Sequence, residues 1–217
     1  MKKITTYLIS GLMIMAFSCS FAQEKDSFNP KFRAAKMYVN SEFKFSNDKA
    51  SNFVSLLRTF SPSIAWGREY GNFHEVLIQD MNISFNNYSN SIGASVDYSY
   101  NLRVGKFNPE RKVNFYAGGG IRLGGGYSDN YSNIPNRFNE RNFNAKLDLV
   151  FTPRMNVKIG KRSMLEVSFP YSVYSTNRYS NYTDNPSVPV ENRKEITNSS
   201  ATFPNQFTVR VGVAIKF

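Results

Sequence analysis

The chain has 217 residues, 41% hydrophobic and 20% charged, with a formal net charge of +11. A chain of this length suits one domain, and a single cysteine, Cys19, excludes a disulfide framework. No apolar run after the first two dozen residues approaches the roughly 20 needed for a spanning helix, so a helical membrane protein is excluded.

The opening segment, MKKITTYLISGLMIMAFSCSFAQ, has the layout of an export signal. Lys2 and Lys3 form a basic start, Tyr7 to Phe17 an apolar run, and Ser20 and Ala22 supply small residues before a cut after Ala22. Lipidation at Cys19 is the competing reading, although Ala16 and Phe17 fit that signal poorly. Losing Lys2 and Lys3 lowers the net charge from +11 to +9. An exported chain this basic meets lipid phosphates or an anionic envelope polymer, including lipopolysaccharide, rather than nucleic acid. The expected organisation is a cleaved signal at 1–22, a short periplasmic tail at 23–34 and an outer-membrane domain at 35–217.

Eight segments of alternating polarity follow, at about 35–46, 57–69, 73–86, 92–106, 112–127, 142–159, 163–176 and 204–217. In the sixth, Ala145, Leu147, Leu149 and Phe151 oppose Lys146, Asp148, Thr152 and Arg154. In the last, Val209, Val211, Val213, Ile215 and Phe217 oppose Thr208, Arg210, Gly212, Ala214 and Lys216. Charges on the inner face of a dry sandwich would be costly, whereas a barrel lumen accommodates them. The connections alternate too. YGN at 70–72, NPER at 108–111 and GKR at 160–162 are tight, while 47–56, 128–141 and 177–203 are long and polar; NYSNS at 87–91 is a short member of the second set.

The expected fold is all-β: an eight-stranded antiparallel transmembrane up-and-down barrel with short periplasmic turns and longer extracellular loops. Trp66, Tyr70, Phe73, Phe107, Phe115 and Phe217 are placed in an aromatic girdle at the short-turn end, and Phe45, Phe85, Tyr127, Tyr171 and Phe207 at the other. Gly118, Gly120, Gly124 and Gly126 face the lumen, and Pro62, Pro153 and Pro170 each mark a bulge or irregularity.

The closing VRVGVAIKF, apolar at alternate positions and aromatic at its end, resembles the C-terminal assembly signal of Gram-negative outer-membrane barrels. The pattern and length of the whole mature chain resemble the small OmpA-like and OmpX-like eight-stranded group. That resemblance implies that Val213, Ile215 and Phe217 are read by the barrel-assembly machinery, and that the last strand closes the barrel against the first.

Candidate chemistry is sparse. AGGGIRLGGGY lacks the Gly-Lys-Ser/Thr of a phosphate loop, and no cofactor motif occurs. His74 is the only histidine, which leaves a metal site without a second imidazole. Some barrels of this size are enzymes acting on lipid A through a histidine near the outer leaflet, but His74 follows a periplasmic turn. Tyr38, Tyr116, Arg122, Arg154 and Arg210 point inward and fill an interior that eight strands leave barely wide enough for side chains. Register sums across the turns bring Asp97 and Asp148 to Arg122, with Asp80 near Asp97, as a lumen ion cluster. The expected function is a non-enzymatic anchor for surface loops acting in envelope integrity, adhesion or partner binding. The alternative is a narrow solute or ion channel.

Overall fold

The computed structural model describes residues 31–44, 59–68, 71–86, 89–105, 110–130, 138–202 and 206–217. The signal segment and the first part of the expected tail lie outside these residues. Among the described residues there are ten strand segments: β1 (Lys31–Lys44), β2 (Thr59–Arg68), β3 (Phe73–Phe85), β4 (Ser89–Val104), β5 (Val113–Asn130), β6 (Glu140–Lys158), β7 (Ser163–Ser168), β8 (Tyr171–Thr183), β9 (Lys194–Thr202) and β10 (Gln206–Lys216). The first strand begins at Lys31, four residues earlier than the pattern suggested.

Each neighbour pairs antiparallel, and β10 pairs with both β1 and β7, so the sheet closes on itself. The barrel has eight staves, because β7 and β8 are successive parts of the seventh, and β9 and β10 of the eighth. Closure removes the two free ends of the sheet, as a sheet in hydrocarbon requires. Met37, Ile64, Val96, Ile121, Leu123, Val211, Val213 and Ile215 are exposed on the outer surface, while their sequence neighbours Lys36, Ser63, Asp97, Arg122 and Arg210 are buried inside. The core of this molecule is therefore polar, and its apolar surface is turned outward.

Besides a register shift between β6 and β8 at Leu149/Val150, three features depart from a regular alternation. The first is a bulge in β3, where Gln79 pairs with Ser95 and Asn82 with Gly93, leaving Asp80 and Met81 without partners in the ladder. Asp80 takes a left-handed backbone conformation, φ 55°, and the bulge reverses parity. Below it Phe73, Glu75, Leu77 and Gln79 are buried in the lumen; above it Met81, Ile83 and Phe85 are exposed. Phe73 thus belongs to the lumen rather than to the girdle. Its ring packs edge-on against Tyr116 at 5.1 Å and lies 4.4 Å from the Lys36 ammonium.

The prolines are the second departure. Pro62 pairs in unbroken register with Met37, and Pro153 with Ala117. Each sits where the ladder on its other side is interrupted: β2 pairs with β3 only from Ser63, and Pro153 falls between the β6–β7 and β6–β8 ladders. A missing N–H is tolerated there. Pro170 lies in the break between β7 and β8.

The third departure is the β2–β3 ladder itself, which has five residue pairs against eighteen between β5 and β6. Beyond Ser63 and Leu77 the two strands continue without pairing to each other.

Candidate functional site in the lumen and its mouth

Two layers of charge fill the barrel. In the layer nearer the short turns, β1 contributes Lys36 and Tyr38, β3 Glu75, β6 Arg154 and β7 Glu166, all turned inward by strand parity. Lys36 Nζ lies 2.8 Å from Glu166 and 3.2 Å from Glu75. Arg154 bridges the same two carboxylates, at 2.8 Å to Glu166 and in close contact with Glu75. The Tyr38 hydroxyl is 2.7 Å from Glu75 and 2.6 Å from Glu166, and Ser63 donates to Glu75 at 2.7 Å. Two cations and two anions thus neutralise one another, with hydroxyls filling the remaining acceptor sites.

The second layer contains Arg122. Asp97 and Asp148 stand opposite it on the neighbouring strands, in the pairs Asp97↔Arg122 and Arg122↔Asp148. Arg122 Nη2 lies 3.2 Å from Asp97 and Nη1 3.6 Å from Asp148. Arg210 approaches Asp97 at 3.1 Å and also contacts Gln79, and Lys146 approaches Asp148 at 3.1 Å. Asp80 is not part of this group. The β3–β4 register puts Leu77, not Asp80, opposite Asp97, and Asp80 instead accepts a 2.8 Å hydrogen bond from Ser95. The bulge accounts for one residue of the three-residue offset, and a β3–β4 turn centred one position earlier than the register sum assumed accounts for the other two.

Val213 and Ile215 project outward from β10, opposite Met37 and Ala35 of β1, and the Phe217 amide donates to Arg33 O at 3.0 Å. His74 also faces outward, near the short-turn end. Its ring stacks on Trp66 at 5.6 Å and its Nδ1 is 2.9 Å from the Tyr98 hydroxyl. Phe85, Phe115, Tyr127 and Phe217 are exposed on the outer surface, whereas Tyr171 is half-buried. Phe45, Tyr70 and Phe107 lie outside the described residues, as does the Phe207 side chain. No group of three or more potential metal ligands occurs among the described residues.

Above the second layer the barrel opens into a cavity of about 440 Å³, lined by β3, β4, β5, β6 and β8. Sequence reasoning assigned glycines to this region but not the cavity, nor the side chains that pack on those glycines. A Cβ on Gly126 would lie 2.6 Å from Asn144 Oδ1, and one on Gly124 3.2 Å from Ser95 Cβ. The Lys36–Glu75–Glu166–Arg154 layer was missed as a group, though strand parity would have placed Lys36 and Tyr38 together.

No protein-family model and no curated protein matches the sequence. Among solved structures, the chain is similar to a major outer membrane protein from Thermus thermophilus, with 8% identity and a TM-score of 0.51 over 86% of this chain and 99% of that one. Ail, the attachment invasion locus protein of Yersinia pestis, matches at 9% identity and a TM-score of 0.47 over 87% and 99% of the two chains. Neisserial surface protein A matches at 15% and 0.40 over 86% and 97%. With a closed eight-stave wall, an apolar exterior and a charged interior, this chain has the fold of the small outer-membrane β-barrels.

Proposed function

We propose that the protein is a non-enzymatic outer-membrane barrel whose plugged lumen is a rigid support for a polar sheet held outside the cell, where it contacts partners or surfaces. The observation that carries this reading is strand length. About 9 to 11 tilted residues cross a bilayer, whereas β5 has 18 and β6 has 19. Their ladder continues to Asn130↔Glu140, and β8 and β9 extend the same sheet to Tyr182↔Lys194. All nine residues of β9, KEITNSSAT, are exposed. Such a surface is rich in small hydrogen-bonding side chains suited to adaptable contact.

The two ion layers support a closed interior, since a solute would have to separate buried partners that are costly to leave unpaired. His74, outward and stacked on Trp66 at the short-turn end, is remote from an outer-leaflet reaction. The folded protein is expected to give no steady openings in planar bilayers; steady openings would overturn the plugged lumen. Replacing residues 177–202 by a short turn is expected to keep the barrel in the outer membrane and abolish cell attachment to surfaces that the intact form binds. Unchanged attachment would overturn the role of the sheet.

A further inference from the structure

The outer surface of the wall carries its own pattern of charge. On β5 the outward residues from Val113 to Leu123 are apolar or small, and on β6 so are those from Leu147 to Val157. The two runs lie opposite each other end to end, Val113 against Val157 and Leu123 against Leu147. Each is about 11 residues, the length that crosses a bilayer when tilted. The next outward row toward the long loops is Gly125, Ala145, Arg178 and Asn198, joined strand to strand. Arg178 therefore stands one step above the hydrocarbon, at the depth of lipid headgroups. It faces outward, because its neighbours Asn177 and Tyr179 line the cavity on the other side of the wall.

Two outward rows higher, Arg141, Tyr182 and Lys194 stand side by side on β6, β8 and β9. Asp129 takes up Arg141 at 3.7 Å, whereas Arg178 and Lys194 are exposed and form no ion pair among the described residues. Glu140 and Glu195 alternate to the lumen side, and Asp184 and Glu191 belong to the hairpin tip. Above the apolar runs, the outward face of these strands thus sets three cations against one carboxylate. Tyr127 and Phe143 stand exposed over the low ground of Gly125 and Ala145, where a Cβ on Gly125 would meet nothing closer than 3.5 Å. A guanidinium at headgroup depth suits a phosphate, whose oxygens match its planar fork. A glycerophospholipid offers one phosphate at one level. Arg178 and Lys194 stand at two levels, four residues apart along β8, which is about 13 Å. They call for a lipid whose headgroup rises from the bilayer and carries anions at both.

We infer that this strip of the wall holds a phosphorylated glycolipid of the lipopolysaccharide class, with a phosphate of its lipid base at Arg178 and an anionic group of its core sugars at Lys194. The assignment rests on the surface-contact reading for the outward direction of the long loops, and adds a lipid to the partners of that surface.

Native mass spectrometry of the detergent-folded protein, titrated with single lipids, tests the strip. The probes are lipopolysaccharide with a phosphorylated inner core, bisphosphorylated lipid A, lipid A stripped of phosphate, and phosphatidylglycerol. The first is expected to bind most tightly, and the last two at least about tenfold more weakly than intact lipid A, since one charge-assisted contact is worth that much. Arg178→Gln should weaken lipopolysaccharide and lipid A alike by about tenfold. Lys194→Gln should weaken lipopolysaccharide by about fivefold and leave lipid A unchanged. Both side chains are exposed, so each variant should keep its heat-dependent gel shift. Lys161→Gln, at the opposite end, should alter neither affinity. Phosphatidylglycerol or phosphate-free lipid A binding as tightly as intact lipid A, or indifference to Arg178→Gln, would overturn the phosphate site. An equal effect of Lys194→Gln on lipid A and lipopolysaccharide would overturn the upper level. A photo-crosslinking residue at Asn198, beside Arg178, reads the orientation separately in intact cells: capture of phospholipid in place of lipopolysaccharide, with binding in detergent intact, would overturn the outward direction of the loops and leave the chemistry of the site standing.

Discussion

Arg154 shows how much of this fold hangs on single side chains. It is buried between Glu75 and Glu166, and Lys36 and Tyr38 complete the same layer. Removing one partner of a buried ion group leaves uncompensated charge and typically costs about 3–5 kcal/mol. Arg154→Met is therefore expected to lower unfolding stability in lipid vesicles by about that amount, read from the urea midpoint of the gel-shifted form. Replacing Arg154, Lys36, Glu75 and Glu166 together by apolar residues of similar volume should cost less than the single change, because no stranded charge remains. At this scale the sequence was half legible. Arg122 with Asp97 and Asp148 could be reached by counting across two turns, because the β4–β5 and β5–β6 ladders are unbroken. Glu75 could not: parity carried down β3 from Phe85 assigns Phe73, and Glu75 with it, to the outer surface. The left-handed Asp80 breaks that count, and aspartate in a strand carries no sequence mark of a bulge.

At the scale of the element, alternation was the strongest signal and the prolines the weakest. β10 follows its expected faces from Arg210 to Ile215, with Val211, Val213 and Ile215 outward and Arg210, Gly212 and Ala214 inward. Proline reports only that a donor is missing. Whether this bends a strand depends on whether a neighbour needed that donor, which a single strand's sequence does not state. The last strand is expected to govern assembly: Phe217→Ser should reduce barrel yield in the outer membrane, measured as the heat-modifiable band, and an unchanged yield would refute that role. The short turns carry a different expectation. Lys161 and Arg162 are exposed between β6 and β7, where phospholipid phosphates would lie. Neutralising both should weaken association with anionic vesicles, with the difference shrinking as salt rises.

For the molecule as a whole, a closed wall with a cross-linked interior should resist detergent until heated. The unboiled protein is expected to migrate faster than the boiled one on a gel, and identical migration would exclude a closed barrel. Architecture and strand number were readable because alternating polarity recurs in eight segments and the seven connections between them alternate between tight and longer. The outer hairpin of β8 and β9 was not, since its polar residues alternate without an apolar face and read as loop.

The short β2–β3 ladder gives this barrel a preferred place to breathe. Five pairs hold that seam, and above Ser63 and Leu77 no cross-strand bond ties Thr59–Pro62 to Ile78–Phe85 among the described residues. Local opening follows the density of such bonds. Deuterium should therefore enter those amides of Phe60–Ser61 and Ile78–Met81 that face the seam, rather than β1 or β4, at least about tenfold faster than those of the β5–β6 hairpin midway along the wall. A lipid chain or a small apolar molecule pressing on the wall from the side would find its least resistance along that line. Uniform exchange around the circumference would mean that side chains such as Gln79 and Arg210 clamp the seam as firmly as a backbone ladder.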